Sequence, residues 1–224
     1  GLLILIFSMM LSPEIVIGGV PGREITVRID DFLLIMLLVA WLARIAIFEK
    51  EGIHFVHTPL NIPILIYVLI CIVFTAKGMI FGFSNPLKSF FFTLKYIEYF
   101  ILFFLVVNII KTEKQVFNIL IAGLITCLCV TVFAYSLFGK EPRVYAPFDT
   151  GGGAPASLGG YYLIIYAVML SFFLNSESIL IQLTMIGLSL FLLPPFIKTL
   201  SRASYFGFVP MVITMLLITK KKRF

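Results

Sequence analysis

Uninterrupted blocks of apolar residues run through this sequence, and they restrict its fold more than any other feature. The 224 residues are 61% hydrophobic and only 12% charged, with a mean hydropathy of +1.11. A helix needs roughly 17 to 25 mostly apolar residues to cross a bilayer, because its backbone polar groups must be satisfied internally. Blocks of this length predict an integral membrane protein and exclude a soluble enzyme, a nucleic-acid-binding module and a secreted disulfide scaffold.

Eight blocks have, or nearly have, the length of a membrane-spanning helix. They cover residues 1–12 (a partial span), 32–48, 60–76, 87–110, 116–138, 158–174, 179–197 and 203–219. The connections between them contain the charged residues and the helix breakers. We therefore predict an all-α fold, a polytopic bundle of about eight transmembrane helices in which residues 1–224 form a single domain. Because both ends of the chain adjoin apolar blocks, we expect the sequence to be a fragment.

The charge distribution predicts an anionic partner on one side of the membrane. The net charge of +6, in a chain this apolar, favours anionic lipid over nucleic acid. Connections after the first, third, fifth and seventh blocks must share one side of the membrane. The basic run Lys220–Arg223 lies on the opposite side, and dense basic runs are typical of the cytoplasmic side, so these four connections are predicted to be external. The external connections nevertheless contain eight Lys and Arg residues, as many as the cytoplasmic ones. This cationic external face predicts an anionic ligand there.

Arg202 is the most informative of these external cations. It follows Ser201, a candidate N-cap, at the start of the eighth block. The N-terminal end of a helix carries a partial positive charge, so a cation is disfavoured there unless an anion lies between them. An arginine beside free backbone N–H groups predicts a phosphate site. The alternative is an arginine whose side chain extends to the membrane interface.

A second candidate anion contact lies in the long external connection of residues 139–160. Arg143 and Tyr145 stand there on the same side as Arg202, and so does Lys198, which follows the seventh block. The guanidinium group donates a planar pair of hydrogen bonds suited to phosphate. Two arginines from separate connections are predicted to hold a diphosphate from two directions. Solvated loop charges in contact with lipid headgroups are the alternative.

Lys95 and Glu98 introduce charge into the fourth apolar block. Residues three apart share one face of a helix, and charges at such depth usually pair or face a wet cavity. They are predicted either to reach an external cavity and contact substrate or to form a self-neutralising structural pair. Asp30 and Asp31, at the start of the second block, are interpreted as residues that complement the helix dipole.

Four short motifs carry a family resemblance. They are Arg28–Leu34 at the start of the second block, Leu94–Tyr96 in the fourth, the Pro-Phe and Gly-rich connection Arg143–Tyr161, and Ser201–Ala203 opening the eighth. Together they resemble the O-antigen ligase and O-antigen polymerase family of bacterial membrane glycosyltransferases.

The resemblance implies a fold and an activity. Members of this family are multi-pass proteins of the bacterial inner membrane that function in surface polysaccharide and lipopolysaccharide biosynthesis, and the chain would resemble the N-terminal part of a GT-C-like enzyme. The substrates implied are a glycan linked to undecaprenyl diphosphate and an acceptor glycan or lipid at the external face, with membrane lipids around them. No nucleotide sugar, metal or other cofactor is implied. Arg143 and Arg202 are implied to contact the lipid diphosphate.

The sequence departs from the family at two places. Ala154-Pro155 stands where members often have Asn-Pro, and the external loop with a catalytic His is expected beyond Phe224. The general base is therefore expected outside this sequence, and the fragment alone is expected to be inactive. His54 and His57 fall in a cytoplasmic connection and have no metal-ligand pattern, so no metal site is predicted.

Two other functions remain open from the sequence. A transporter or flippase for an anionic lipid or solute would use Lys95 and Glu98 along its pathway and the external arginines at its mouth. A membrane scaffold without a ligand would scatter its cations around the external face.

Overall fold

A computed structural model describes residues 1–13, 15–20, 23–48, 56–83, 85–148 and 155–219; the basic run 220–223 and the glycines 151–153 lie outside this part. Within it, eight helices and two strands follow one another. They are α1 (Leu2–Leu11), β1 (Ile15–Val20), β2 (Arg23–Val27), α2 (Ile29–Phe48), α3 (Asn61–Ile80), α4 (Pro86–Ile109), α5 (Glu113–Ser136), α6 (Pro155–Asn175), α7 (Ile179–Lys198) and α8 (Arg202–Ile218).

Five of the described helices, α3 to α7, are long and apolar enough to cross a membrane. They indicate a multi-pass membrane protein, in agreement with the helical bundle predicted from the apolar blocks. In the described part, α1 and α8 are apolar but shorter. The total of eight spans and the likeness to a GT-C enzyme stay predictions.

A β-hairpin occupies a segment for which the sequence predicted no strand. Strands β1 and β2 pair antiparallel, with Ile15 opposite Val27 and Val20 opposite Arg23, and the register shifts between Val16 and Gly18. Pro13 lacks the N–H that a continuing helix needs, and β-branched residues favour the extended backbone that follows.

The chain forms two compact units, which are described separately. The first comprises residues 1–5 and 15–116. Its helix α4 packs against both α2 and α3. The hydroxyls of Thr75 and Thr93 lie 2.9 Å apart between α3 and α4, and the Asn108 side chain accepts a hydrogen bond from the N–H of Val56 at 3.1 Å. Polar side chains thus link α4 to α3 and to the connection that precedes α3.

The second unit comprises residues 6–14 and 117–224, and α6 is its central helix. The Tyr166 hydroxyl of α6 donates to the carbonyl of Ser189 at 3.0 Å, and the Tyr162 ring meets Phe196 farther along α7. Helices α6 and α7 are therefore antiparallel. Since α7 and α8 are joined by a turn of residues 199–201 only, α8 returns in the direction of α6. The N-terminal ends of α6 and α8 consequently lie at the same end of the unit.

Buried contacts around Tyr162 form the core of this unit. Thr131 donates its hydroxyl hydrogen to the carbonyl of Cys127 at 2.7 Å, so at 3.1 Å it accepts from the Tyr162 hydroxyl. The ring of Tyr162 is fully buried. The other buried side chains of the cluster include Val130, Leu158, Met169, Leu192 and Phe196.

We expect substitutions of Tyr162 to separate packing from hydrogen bonding. Tyr162→Phe keeps the ring and should cost about 0.6 kcal/mol, a typical value for a hydrogen bond between membrane helices. Tyr162→Ala leaves a cavity and should cost about 3 kcal/mol or more. Unfolding in mixed detergent micelles, followed by circular dichroism, measures both. Equal losses would mean that the ring is not packed as described.

Candidate functional site

Three basic residues lie close in the backbone at one end of the second unit, and we call Arg143, Lys198 and Arg202 the cation cluster. The N–H of Val144 donates to the carbonyl of Lys198 at 3.2 Å. This bond holds the connection after α5 against the turn between α7 and α8. Arg202 begins α8 immediately after that turn. Arg143 and Arg202 are exposed, whereas Lys198 is half-buried.

The turn between α7 and α8 is braced by hydroxyl groups. Thr199 donates its buried hydroxyl to the carbonyl of Phe196 at 2.7 Å, and the N–H of Ser201 donates to the Thr199 hydroxyl oxygen at 3.3 Å. Leu200 adopts a φ of +51°, in the left-handed region that residues with a Cβ rarely occupy. These hydrogen bonds hold a strained backbone in one conformation.

The predicted N-cap of α8 is confirmed. The hydroxyl oxygen of Ser201 accepts from the N–H of Ser204 at 3.4 Å, and the two hydroxyls lie 2.8 Å apart. The start of α6 adjoins this cap, since a Cβ built on Gly159 would lie 3.0 Å from the Cβ of Ser201. Two helix N-termini therefore adjoin the cation cluster, and both contribute partial positive charge.

No carboxylate neutralises the cation cluster in the part of the chain that the structure describes. The three ion pairs found there all lie in the first unit. Glu141 is exposed and forms none of them. The cluster is therefore a positively charged surface with two exposed arginines. An oxyanion ligand would complement its charge.

Tyr145, the other predicted contact in this loop, is fixed by packing. Its half-buried ring meets Phe133 of α5, with centroids 6.3 Å apart. Val144 between Arg143 and Tyr145 is fully buried. The loop thus has an anchored apolar stretch immediately after the exposed arginine.

The first unit contains a separate charged site, the triad Asp31–Lys95–Glu98. The ammonium of Lys95 lies 2.5 Å from Asp31 Oδ1 and 2.8 Å from Glu98 Oε2. Lys95 and Glu98 form an ion pair, which was one of the two alternatives left open by the sequence, and Asp31 is a partner that the sequence interpretation missed. The only signal for it was a second acidic residue beside Asp30 at the start of α2, since the bond to Lys95 joins residues 64 apart.

Both carboxylate oxygens of Asp31 accept hydrogen bonds, Oδ1 from Lys95 and Oδ2 from the N–H of Arg28. Burial raises the pKa of Asp31, but the hydrogen bond from Lys95 and one from the N–H of Arg28 at 3.0 Å lower it below its ordinary value. Asp30 forms its own ion pair with Arg28 at 3.0 Å. The triad thus has two carboxyl groups for one ammonium, and it ties α2 to α4.

The structure divides the predicted substrate contacts between the two units. Arg143, Tyr145, Lys198 and Arg202 are in the second unit, whereas Lys95 and Glu98 are in the first. Among the described residues, no group of three His, Cys, Asp or Glu side chains is arranged to hold a metal ion.

No protein-family model, curated protein or solved structure matches this chain. The resemblance to the O-antigen ligase and polymerase family therefore stays a prediction that depends on the quoted motifs.

We expect Lys95→Met to destabilise the first unit by about 1 to 3 kcal/mol, because it leaves two carboxyl groups close together without the ammonium between them. The Lys95 side chain is 40% exposed, so the loss should be smaller than for a fully buried pair. Adding Asp31→Asn and Glu98→Gln should recover most of the stability, as measured by unfolding in detergent. If the triple variant is no more stable than Lys95→Met, the charges are not the cause.

Proposed function

We propose that this chain is the membrane part of a glycosyltransferase of the O-antigen ligase or polymerase type. It transfers or polymerises a glycan linked to undecaprenyl diphosphate at the external face of the bacterial inner membrane. The observation that supports this most is the cation cluster, in which the hydrogen bond from Val144 to Lys198 holds two arginine-bearing segments together without a carboxylate partner among the described residues.

The chemistry of the cluster fits a diphosphate. Each guanidinium group can donate two parallel hydrogen bonds to phosphate oxygens. Arg143 and Arg202 approach from different segments of the chain, which suits a ligand with two linked phosphates. The dipoles of α6 and α8 add attraction for the same charge. A lipid carries such a headgroup at the membrane surface, where exposed ends of spanning helices lie.

The reaction proposed is a displacement at the anomeric carbon of the donor glycan. An acceptor hydroxyl oxygen forms the new bond to that carbon, the bond to the diphosphate oxygen breaks, and the diphosphate leaves with the bonding electron pair. Arg143 and Arg202 would stabilise the negative charge as it develops. The hydroxyl proton passes to a general base, which the resemblance implies in a segment beyond Phe224 and which typically contributes roughly 10²- to 10⁴-fold.

The transporter alternative receives less support from the triad. If Lys95 and Glu98 lined a pathway for an anion, Asp31 would lie on that pathway too, with its carboxylate 2.5 Å from the Lys95 ammonium. Two carboxyl groups against one ammonium oppose the passage of an anion. The triad therefore argues against an anion pathway at this point and fits a structural link between α2 and α4.

Arg143→Ala and Arg202→Ala, each made in the full-length protein, are expected to lower glycan transfer by about 100-fold or more, the loss typical of removing one preorganised donor to a developing charge. Lysine at either position keeps the charge but loses the paired donors, so it should restore only part of the activity. Consumption of lipid-linked glycan in proteoliposomes measures the rate.

Arg44→Ala is the matched control, because Arg44 is an exposed arginine on α2 in the other unit. It should transfer glycan at the wild-type rate, and all variants should insert into the membrane at wild-type levels. Normal transfer by both Arg143→Ala and Arg202→Ala would contradict the proposed function.

A further inference from the structure

Gly159 lies where α6 approaches the start of α8 most closely. A Cβ at this position would be 2.5 Å from the hydroxyl oxygen of Ser204, 3.1 Å from its Cβ and 3.0 Å from the Cβ of Ser201. Contacts below 3.0 Å are sterically excluded, and those just above it force the neighbour to move. Glycine is therefore required for the present separation of the two helices.

The adjacent Gly160 has no such restriction. A Cβ built on Gly160 meets nothing within 4 Å. Both glycines are in the same turn of α6, so alanine at either position brings the same gain in helix propensity. The two substitutions differ in the contact with α8, and Gly160 is a matched control.

The serines opposite Gly159 have little freedom to yield. Both are buried, their hydroxyls lie 2.8 Å apart, and Ser201 caps the N–H of Ser204. Rotation of the Ser204 hydroxyl would relieve one close contact but would leave both Cβ contacts at 3.0 and 3.1 Å. An added methyl group at residue 159 must therefore move the start of α8 and α6 apart.

That displacement would move Arg202 relative to Arg143. Ser201 directly precedes Arg202, and the braced turn connects it to Lys198. The carbonyl of Lys198 accepts the hydrogen bond from Val144, the residue after Arg143. Arg202 would move with the start of α8, whereas Arg143 is held next to the end of α7 by the hydrogen bond from Val144 to Lys198. The separation of the two guanidinium groups is therefore sensitive to the packing at Gly159.

We propose that Gly159 is a positioning residue. It touches no ligand, and by lacking a side chain it fixes the separation of Arg143 and Arg202 at the value that binds the two phosphates of a lipid diphosphate. The choice of ligand rests on the proposed function, whereas the control of the separation rests on the packing alone.

The first test measures that separation directly. In the full-length protein with its native cysteines replaced by alanine, spin labels are attached to cysteines at positions 143 and 202, and their distance is measured by pulsed electron resonance. Gly159→Ala should shift the distance, Gly159→Val should shift it further, and Gly160→Ala and Gly160→Val should leave it unchanged. Adding Ser204→Gly to Gly159→Ala should return it toward the wild-type value.

The second test measures binding of geranylgeranyl diphosphate and geranylgeranyl monophosphate to the full-length protein in nanodiscs. Gly159→Ala should weaken diphosphate binding by about tenfold or more, the loss expected when one charge-assisted hydrogen bond to the ligand is no longer aligned. Monophosphate binding should change little, because one phosphate needs only one of the arginines. Gly160→Ala should bind both as the wild type does, and Ser204→Gly should partly rescue Gly159→Ala.

The outcomes separate the two claims. An unchanged label distance in Gly159→Ala and Gly159→Val, or equal shifts from the substitutions at 159 and 160, would overturn the positioning role. If only the substitutions at residue 159 shift the label distance but the wild-type protein binds no diphosphate, the positioning role holds and the proposed function is refuted. If the Gly159→Ala protein does not insert into the membrane, both tests are made on the double variant Gly159→Ala with Ser204→Gly. If the double variant does not insert either, the inference is overturned.

Discussion

The need to satisfy every backbone N–H and carbonyl inside an apolar medium determines the rest of this structure. Helices meet that need along their length, which is why the apolar blocks fold as helices and irregular backbone stands between them. The turn of residues 199–201 meets it with threonine and serine hydroxyls, and the loop after α5 meets part of it through the bond from Val144 to Lys198. Chemistry that requires exposed charge is therefore located at helix ends.

Helix positions were predictable because a continuous apolar run is a strong local signal. The seventh block, predicted at residues 179–197, is the helix Ile179–Lys198, and the fifth, predicted at 116–138, is Glu113–Ser136. The β-hairpin was missed because its two strands are short and follow a proline in a charged connection, where β-propensity competes with turn formation. The pairing of the two strands also depends on contacts across a turn, and the local composition of a segment carries no information on such contacts.

The site shows the same division between local and distant information. The cap formed by Ser201 and the pair of Lys95 with Glu98 join residues three apart, so spacing alone predicts them. The bond of Lys95 to Asp31 joins residues 64 apart and depends on how α2 packs against α4. The bond from Val144 to Lys198 likewise depends on tertiary packing. Parity of the spans predicted that Arg143 and Arg202 share one side of the membrane, but it gave no information on which residues hold their segments together.

Leu200 has an effect beyond the turn in which it lies. The apolar helices α7 and α8 lie before and after it, and a helix that continued through residue 200 would join them into a single straight rod. Its φ of +51° prevents this, because a right-handed helix cannot pass through a left-handed residue. The chain turns back at this point and α8 runs beside α6 instead of away from it. One backbone torsion thereby sets the direction of α8 relative to α7.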